Sequence, residues 1–447
     1  MPCQSSLARI AEGLDAEPVG VDLSQSFHGV STDTRSLRLG QLFVALRGEN
    51  FDGHRFASAA LAQGAVAVLA DMPLAVPHLR VADTLKAYQD LAQWWRQQFA
   101  APVIAITGSV GKTTTKELIA AVLATQGKVL KTQANYNNEI GVPKTLLELG
   151  PEHSYAVIEM GMRGAGEIAR LSQIAIPDIA VITNVGTAHI GRLGSEQAIA
   201  EAKCELLASM PTAGTAVLNH DNARLLSTAA TVWQGKTLTY GLEGGDLQGE
   251  LLDPQTLLVA GVALPLPLPG RHNALNYLAA LAVAQLLQVN WEPLKVGLSV
   301  RLPDGRAQQY QFANDVVILD ETYNAGLESM LAALHLLSQT PGQRQIAVLG
   351  TMKELGERSL EFHRQVGAQA RHLQLDRLLI LEDGPEGEAL AVGATPLPTE
   401  RLLTQAALVE RLQQLIQPGD RLLFKASHSV GLDRVVEQLR TTLANAS

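Results

Sequence analysis

The stretch "PVIAITGSVGKTTTKELIAAVLATQG", residues 102–127, constrains the fold more than any other part of the chain. A compact apolar run ends at Ile106, and a glycine-containing loop follows it. Four apolar residues then recur at helical spacing: Leu118, Ile119, Val122 and Leu123. Gly127 is the expected C-terminal cap of that helix. An apolar strand running through a short loop into a helix is the repeating unit of an α/β sheet.

The loop between strand and helix has part of the phosphate-binding pattern G-x-x-x-x-G-K-[ST]. Ile106 stands where the first glycine is required, which leaves the shorter G-x-x-G-K-T from Gly108 to Thr113. Backbone N–H groups at a helix N-terminus bind anionic oxygens, so Lys112 would reach outer phosphates and the Thr113 hydroxyl would bind Mg²⁺. The alternative is an ordinary strand-to-helix turn with a solvated lysine.

Further strands and helices alternate along the chain. The runs "YAVIEM", "DIAVITNV" and "TAVLNHD" predict a parallel sheet with both faces covered, which binds ligands at the C-terminal ends of its strands. A smaller mixed α/β region precedes it, with "LFVALRG" as a strand, and a third α/β region begins near "VVILDETYNA". "LPLPLPG" (264–270) is expected to be a loop or an edge segment, and "YLAALAVAQLLQV" (277–289) a buried helix.

Two more strand ends carry side chains suited to a shared site. Glu159 ends "YAVIEM", where its carboxylate could hold Mg²⁺ or simply cap a helix or face solvent. His189 follows the next strand, and a lone histidine is more often structural than a ligand. Three consecutive strand ends nevertheless carry such side chains: a lysine with a threonine at the first, a glutamate at the second and a histidine at the third. This arrangement favours one shared site.

Composition excludes several classes of function. The 447 residues carry a net charge of −9, which argues against a nucleic-acid partner. Two cysteines, Cys3 and Cys204, cannot form a disulfide framework or a four-thiolate metal site. The longest apolar stretch is too short to span a bilayer, and the opening residues lack a secretory pattern. A cytoplasmic protein without membrane insertion is expected.

Several motifs occur in the order and spacing of the Mur ligases: "GSVGKTTTKE", "NYNNEIGVP", "EMGMRGAGEI", "NVGTAHI", "AEAKCELL" and "LPGRHNALNYLAA". The chain resembles this family, the ATP-dependent amide-forming enzymes of peptidoglycan precursor synthesis, over nearly its whole length. The resemblance implies an α/β protein of three domains. Residues 1–82 would bind the UDP-sugar peptide, residues 83–308 would form a parallel-sheet ATP-binding domain, and residues 309–447 would form a Rossmann-like domain that closes over the site.

Within the family, "DETYNAGLESM", "LGTMKELGE" and Lys116-Glu117 are most similar to the member that adds a dipeptide. The resemblance implies that D-Ala-D-Ala is joined to UDP-N-acetylmuramoyl-tripeptide through an acyl phosphate, by a monomer acting on small molecules. The D-N-P-R signature of the diamino-acid-adding relative is absent, which supports this interpretation. A diamino-acid-adding or other Mur-type ligase is the alternative, and a P-loop kinase or NTPase is a more distant one.

The resemblance also implies roles for individual residues. The expected catalytic residues are Lys112, His189 and Lys203. The expected ATP-binding residues are Gly108, Ser109, Val110, Gly111, Lys112, Thr113, Thr114, Asn273, Arg306, Asp320 and Glu321. The expected ligands of two Mg²⁺ ions are Thr113, Glu159, His189 and Lys203. From the sequence alone Lys203 would be a solvated helix lysine; the resemblance makes it a lysine carbamylated by CO₂, which acquires a carboxylate able to bind metal.

The substrate-binding residues come from all three regions. The expected UDP-substrate residues are Ser31, Thr32, Asp33, Thr34, Arg35, Asn137 and Asn138. The expected dipeptide residues are Tyr323, Asn324, Lys425 and His428. Here the chain departs from the family pattern, because "DE" replaces paired aspartates at 320–321, "NAGL" replaces "NANP", Thr351 replaces an aspartate, and "KASH" replaces "KGSR".

Overall fold

The computed structural model describes residues 3–48, 51–382 and 384–445. Residues 49 and 50, just after the predicted strand "LFVALRG", lie outside these ranges. Three larger sheets occupy successive stretches of the chain, and each is covered by helices. The chain is thus a three-part α/β protein, as predicted, whereas the boundaries at 82/83 and 308/309 stay a prediction.

The first region is built on a five-stranded sheet in the order β2-β9-β8-β5-β4, parallel except for β2 against β9. Its elements are β1 (Gln4–Ser6), α1 (Leu7–Gly13), β2 (Glu17–Val19), β3 (Ser26–His28), β4 (Val30–Ser31), β5 (Leu42–Val44), β6 (Arg47–Gly48), β7 (Phe51–Asp52), α2 (Ala57–Ala62), β8 (Ala67–Ala70) and β9 (His78–Arg80). The prediction of a single strand over 42–48 is wrong, because β5 ends at Val44 and the chain then enters the β6–β7 hairpin. The backbone N–H of Gly53 donates to the carbonyl of Leu46 at that break.

The central region contains a nine-stranded sheet in the order β11-β12-β10-β13-β14-β15-β16-β17-β18. Its elements are α3 (Thr84–Arg96), β10 (Val103–Thr107), α4 (Lys112–Leu123), β11 (Val129–Lys131), α5 (Gly141–Leu146), β12 (Tyr155–Glu159), α6 (Glu167–Ala175), β13 (Ile179–Ile182), α7 (Ile190–Leu193), α8 (Glu196–Ser209), β14 (Thr215–Asn219), α9 (Ala223–Val232), β15 (Lys236–Gly241), β16 (Leu247–Asp253), β17 (Thr256–Val259), β18 (Val262–Pro265) and α10 (Arg271–Leu286). The sheet is parallel as far as β16, and β17 and β18 extend it antiparallel. The proline-rich segment begins in the edge strand β18, where a missing N–H donor is tolerated.

Two sequence expectations for the central helices have different outcomes. Helix α10 is buried, as predicted, and packs on α4 through apolar side chains: Leu118, Ile119, Val122, Tyr277, Leu278 and Leu281. The predicted cap at Gly127 is wrong, because α4 ends at Leu123 and Gly127 is not in the left-handed conformation of such a cap. Gly127 instead allows close packing, since a Cβ there would meet Oγ of Ser154 at 2.3 Å.

The third region has a six-stranded sheet in the order β19-β20-β24-β21-β22-β23, antiparallel only between β19 and β20. Its elements are β19 (Gln308–Phe312), β20 (Val316–Asp320), α11 (Leu327–Gln339), β21 (Arg344–Gly350), α12 (Ser359–His372), β22 (Arg377–Leu381), α13 (Pro385–Ala394), β23 (Thr399–Leu402), α14 (Gln405–Leu415), β24 (Asp420–Lys425) and α15 (Leu432–Asn445). Within the described ranges, no helix combines the length and apolar character needed to cross a bilayer.

Candidate active site

A cleft of about 1370 Å³ lies between the central and third regions. Neighbouring strands bring predicted residues to it, because β12, β10 and β13 are adjacent and Glu159 lies opposite Ile106 in the sheet register. The predicted residues that line the cleft are Gly108, Ser109, Val110, Gly111, Lys112, Thr113, Thr114, Asn137, Asn138, Glu159, His189, Lys203, Asn273, Arg306, Glu321, Tyr323, Asn324, Lys425 and His428. Most of the predicted site is therefore one place in the fold.

The loop from Gly108 to Thr113 is fixed by the next strand end. The backbone N–H groups of Ser109 and Val110 donate to Asn184, at 3.1 Å to its carbonyl and 3.0 Å to its side-chain oxygen. These two groups therefore shape the loop. Helix α4 begins at Lys112, and the first N–H groups of a helix have no acceptor within it, so they remain available to an anion in the cleft.

Gly111 immediately precedes α4 and can be only glycine without strain. Its φ of +82° is left-handed, and a Cβ would meet Oδ1 of Asn276 at 2.6 Å. Asn276 in turn accepts a hydrogen bond from the hydroxyl of Thr115 over 3.1 Å. The loop and α10 are thus held in contact at the point where the helix starts.

Lys112 lies inside the cleft and forms no ion pair with an acidic side chain in the part of the chain that the structure describes. Its Nζ donates to the carbonyl of Gly108 over 2.8 Å. Burial lowers the pKa of Lys112, a shift that Glu159 opposes and Arg306 reinforces. An anionic ligand between Lys112 and Arg306 would be favourable because it would compensate both cations.

Glu159 is set up as a cation ligand. Its Oε1 accepts a 2.8 Å hydrogen bond from the side-chain amide of Asn137, while its Oε2 is buried with no hydrogen-bond partner among the described residues. Lys116, itself buried, lies 3.8 Å from that oxygen. A carboxylate oxygen left free at a phosphate cleft fits Mg²⁺, which takes one or two carboxylates together with phosphates and water.

The described part of the chain contains no group of three histidine, cysteine, aspartate or glutamate side chains arranged to hold a metal. Among the predicted metal ligands, the donors at the cleft are the carboxylate of Glu159, the hydroxyl of Thr113 and the ring of His189. Burial and the nearby charge of Lys112 lower the pKa of His189, an effect that Glu354 opposes, and the shift favours the neutral imidazole that can act as a ligand.

Lys203 is not the solvated residue that the sequence alone predicts. It lies on α8, which Ser195 caps by accepting from the N–H of Ala198, and only 1% of the residue is exposed. Burial and the charge of Lys112 lower the pKa of Lys203 well below its usual value. Cys204 beside it is buried, as expected of a packing residue, and burial raises its pKa to about 12.

Arg306, just before β19, and residues of the third region contribute a second group of cations and aromatic rings. The guanidinium of Arg306 lies 3.9 Å from the centre of the Tyr323 ring, which stacks on His428 at 6.1 Å. Lys425 donates to the carbonyl of Asn324 over 3.0 Å, and its Nζ is 3.8 Å from Oε2 of Glu321. The buried Nε of Arg306 has no hydrogen-bond partner among the described residues, which leaves a donor for a ligand.

Asp320 does not line the cleft, in contrast to its neighbour Glu321. Its Oδ1 accepts from the hydroxyl of Thr322 over 2.6 Å and from the N–H of that residue over 3.1 Å. Burial raises the pKa of Asp320. Both hydrogen bonds engage one oxygen of the carboxylate, and the contact between the nucleotide and Asp320 stays a prediction.

The five predicted residues from Ser31 to Arg35 also lie away from the cleft. Arg35 and Asp33 form a bidentate ion pair, and Ser31 donates to the carbonyl of Asp33. The pKa of Asp33 is lowered mainly by Arg35 and also by the charge of Lys144 on α5. Asn137 and Asn138, which precede α5, do line the cleft. The segment 135–144 therefore runs from the cleft to Lys144, whose charge acts on Asp33 in the group Ser31–Arg35.

Of the acidic residues at the cleft that sequence reasoning missed, two bind the chain that follows β13. Glu328, at the start of α11, accepts from the N–H of Thr187 over 2.7 Å. Glu354, after β21, accepts from Nδ1 of His189 over 2.7 Å. Glu354 lies in "LGTMKELGE", a motif that the sequence analysis did identify. Its contact with His189, 165 residues away, and that of Glu328 with Thr187, 141 residues away, cannot be predicted from local sequence patterns.

Family models match three successive parts of the chain. They are described as "Mur ligase family, catalytic domain" over residues 26–104, "Mur ligase middle domain" over 106–284, and "Mur ligase, glutamate ligase domain" over 305–428.

Individual relatives match over nearly full length. The UDP-N-acetylmuramoyl-tripeptide–D-alanyl-D-alanine ligase of Synechocystis sp. is 60% identical over 92% of each chain. The crystal structure of MurF from Acinetobacter baumannii has a TM-score of 0.90 at 32% identity and covers 98% of this chain and 99% of its own. MurF ligase from Thermotoga maritima in complex with ADP has a TM-score of 0.83 at 30% identity, with 94% and 98% covered.

Proposed function

The chain belongs to the Mur ligase family, and we propose that it joins D-Ala-D-Ala to UDP-N-acetylmuramoyl-tripeptide with ATP, in peptidoglycan precursor synthesis. The observation that carries this function is the shared cleft, in which the phosphate loop and Glu159 face Arg306 and, from the third region, Lys425. Full-length similarity to ligases of this one specificity supports the dipeptide rather than a diamino acid as the second substrate.

The chemistry needs activation of a carboxylate. An oxygen of the peptide carboxylate attacks the γ-phosphorus of ATP, the bond to the β-phosphate oxygen breaks, and ADP leaves. The amine of D-Ala-D-Ala then attacks the acyl carbon, phosphate leaves with the carboxylate oxygen, and the amine loses a proton. Both steps concentrate negative charge at one place, which Lys112 and the N-terminus of α4 stabilise.

The expected roles of the other residues fit this scheme. Thr113 and Glu159 would hold one Mg²⁺, and His189 with carbamylated Lys203 would hold a second. Bound Mg²⁺ would neutralise charge on the transferring phosphoryl group. Asn273 would contact the adenine ring of the nucleotide. Its side-chain amide donates a 2.8 Å hydrogen bond to the carbonyl of Pro269.

Carbamylation of Lys203 is supported by the state of its amine. The lowered pKa of Lys203 favours the neutral form, and only a neutral amine adds to CO₂. A carbon–nitrogen bond forms, one proton is released, and the product is a carbamate anion. Lys112 nearby is a cation that would stabilise this anion.

The region that binds the UDP substrate is proposed to include Ser31–Arg35 with Asn137 and Asn138. The exposed Arg35–Asp33 pair and Lys144 offer polar groups next to the segment that leads into the cleft. A monomeric state and a cytoplasmic location stay predictions.

The test of this function is a product assay. ATP, Mg²⁺, the UDP-tripeptide and D-Ala-D-Ala are supplied together and with each omitted in turn. We expect phosphate release and a pentapeptide of the correct mass only when all four are present. Phosphate release in the absence of the tripeptide substrate would indicate a different ligase or an NTPase.

A further inference from the structure

The segment 186–192 of the central region, here called the docking segment, is where the third region meets His189. Its residues follow β13 and include the first three residues of the short helix α7. The carboxylate of Glu328 contacts the docking segment, where it accepts hydrogen bonds from the N–H of Thr187 at 2.7 Å and from the hydroxyl of Thr187 at 3.3 Å. The carboxylate of Glu354 contacts the docking segment as well.

Glu354 makes more contacts with the docking segment than an incidental surface pair would. Its Oε2 is 2.7 Å from Nδ1 of His189, and its Oε1 accepts from Arg192 over 3.1 Å. Its backbone carbonyl accepts from the N–H of Gly191 over 3.1 Å. Side chain and backbone of one residue thus bind three positions of α7 and its cap.

The backbones also approach closely at this point. A Cβ on Gly191 would meet the nitrogen of Gly356 at 2.6 Å, and a Cβ on Gly356 would meet Cα of Gly191 at 2.8 Å. His189 and Glu354 both have left-handed backbone conformations, with φ of +68° and +64°. Such conformations cost free energy and persist where surrounding contacts require them.

We infer that Glu354 is a positioning residue, which fixes the ring of His189 only when the third region is docked. The inference rests on the proposed function, in which His189 is a metal ligand. A carboxylate at Nδ1 selects the tautomer with hydrogen on Nδ1, and Nε2 then keeps its lone pair for a metal. Because the carboxylate comes from the third region, docking of that region completes the metal-binding form of His189.

Two matched substitutions separate positioning from simple docking. Glu354→Ala removes the acceptor at Nδ1 together with the ion pair to Arg192. Arg192→Ala removes only the ion pair, so His189 keeps its carboxylate. If Glu354 were merely a contact between regions, the two variants would behave alike. Glu357→Ala, an exposed acid three residues away, controls for lost surface charge.

The tautomer of His189 can be read by ¹⁵N NMR of histidine-labelled protein at a pH where imidazole is neutral, with His189→Asn used to assign the signal. Wild type, Arg192→Ala and Glu357→Ala are expected to hold hydrogen on Nδ1. In Glu354→Ala that tautomer should lose its preference. In the ligase assay the same variant should need about 10- to 100-fold more Mg²⁺.

Either of two results would overturn the inference: an unchanged tautomer in Glu354→Ala, or an equal change in Arg192→Ala. Neither result bears on the proposed function, which is judged by pentapeptide formation in the wild-type protein.

Discussion

The side-chain amide of Asn137 donates a 2.8 Å hydrogen bond to Oε1 of Glu159, and the other oxygen of that carboxylate is buried without a hydrogen bond in the ranges that the structure describes, with the ammonium of Lys116 3.8 Å away. A buried acceptor without a hydrogen bond costs about 1–3 kcal/mol, and the nearby charge of Lys116 offsets part of that cost here. The segment before α5 therefore orients Glu159 with one oxygen free in the cleft, where a bound cation would offset this cost.

Glu159→Gln is expected to weaken Mg²⁺ binding while it leaves the fold intact. The amide oxygen can still accept from Asn137, but the negative charge is lost. We expect kcat/KM at fixed Mg²⁺ to fall by roughly 100-fold or more, since substitutions of groups that only support a metal ligand already cost about 10- to 100-fold. A Mg²⁺ titration of the initial rate measures this, with thermal melting as the check on folding. A variant with the Mg²⁺ requirement of the wild type would remove Glu159 from the metal site.

Gly111→Ala is expected to abolish tight ADP binding, and Gly166→Ala supplies the matched control. Both glycines cap the N-terminus of a helix with left-handed φ, +82° and +84°. A Cβ on Gly166 would meet no atom of the described residues within 4 Å, so alanine there costs only backbone strain of about 1–2 kcal/mol. At Gly111 the added carbon also meets Asn276. Calorimetric titration with ADP distinguishes the two, and equal affinities would show that the loop tolerates the side chain.

Lys203→Met is expected to remove ligase activity with little loss of stability. Methionine fills a similar volume, and burying a thioether avoids the desolvation that lowers the pKa of the lysine. Wild-type protein supplied with ¹³C-bicarbonate should show one carbamate carbon signal by NMR, which the variant lacks. A wild-type spectrum without that signal under conditions that support turnover would contradict carbamylation.

His272 is expected to make the protein less stable in acid. Burial, assisted by the charge of Lys425, lowers the pKa of His272 to about 4, against about 6.5 for an unfolded chain. As the pH falls from about 6.5 towards 4, the unfolded state binds a proton that the folded state does not, so the free energy of unfolding falls. The loss is at most about 3 kcal/mol, and less because His272 lines the cleft and water can reach it.

Urea unfolding at several pH values compares wild type with His272→Gln. The difference between the two proteins should change over that window and become constant below it. A difference independent of pH would show that the imidazole is protonated as easily in the folded protein as in the unfolded chain.

Local sequence patterns predicted the part of the site that lies at the ends of neighbouring strands. Apolar strands followed by polar residues placed Lys112, Glu159 and His189 at adjacent strand ends, because parallel strands end at the same edge. Lys203 was different, since the helix pattern gives no sign that its side chain is buried. Only the resemblance to a family marked it.

Contacts between regions were not predictable in the same way. Glu328 and Glu354 contact residues 141 and 165 positions away, and a carboxylate at a helix start or in a loop is usually solvated. The adjacent acids at 320–321 show a second limit. The sequence analysis assigned both residues to the nucleotide. In the structure, Asp320 accepts a hydrogen bond from the hydroxyl of Thr322, and Glu321 lines the cleft.

Transfer of oxygen from carboxylate to phosphate tests the central claim most directly. The UDP-tripeptide is labelled with ¹⁸O in the carboxylate that becomes the amide, and the reaction is run with ATP, Mg²⁺ and D-Ala-D-Ala. Activation as an acyl phosphate predicts one ¹⁸O in each released phosphate and one retained in the pentapeptide. Released phosphate without ¹⁸O would contradict activation of the carboxylate by the γ-phosphate of ATP.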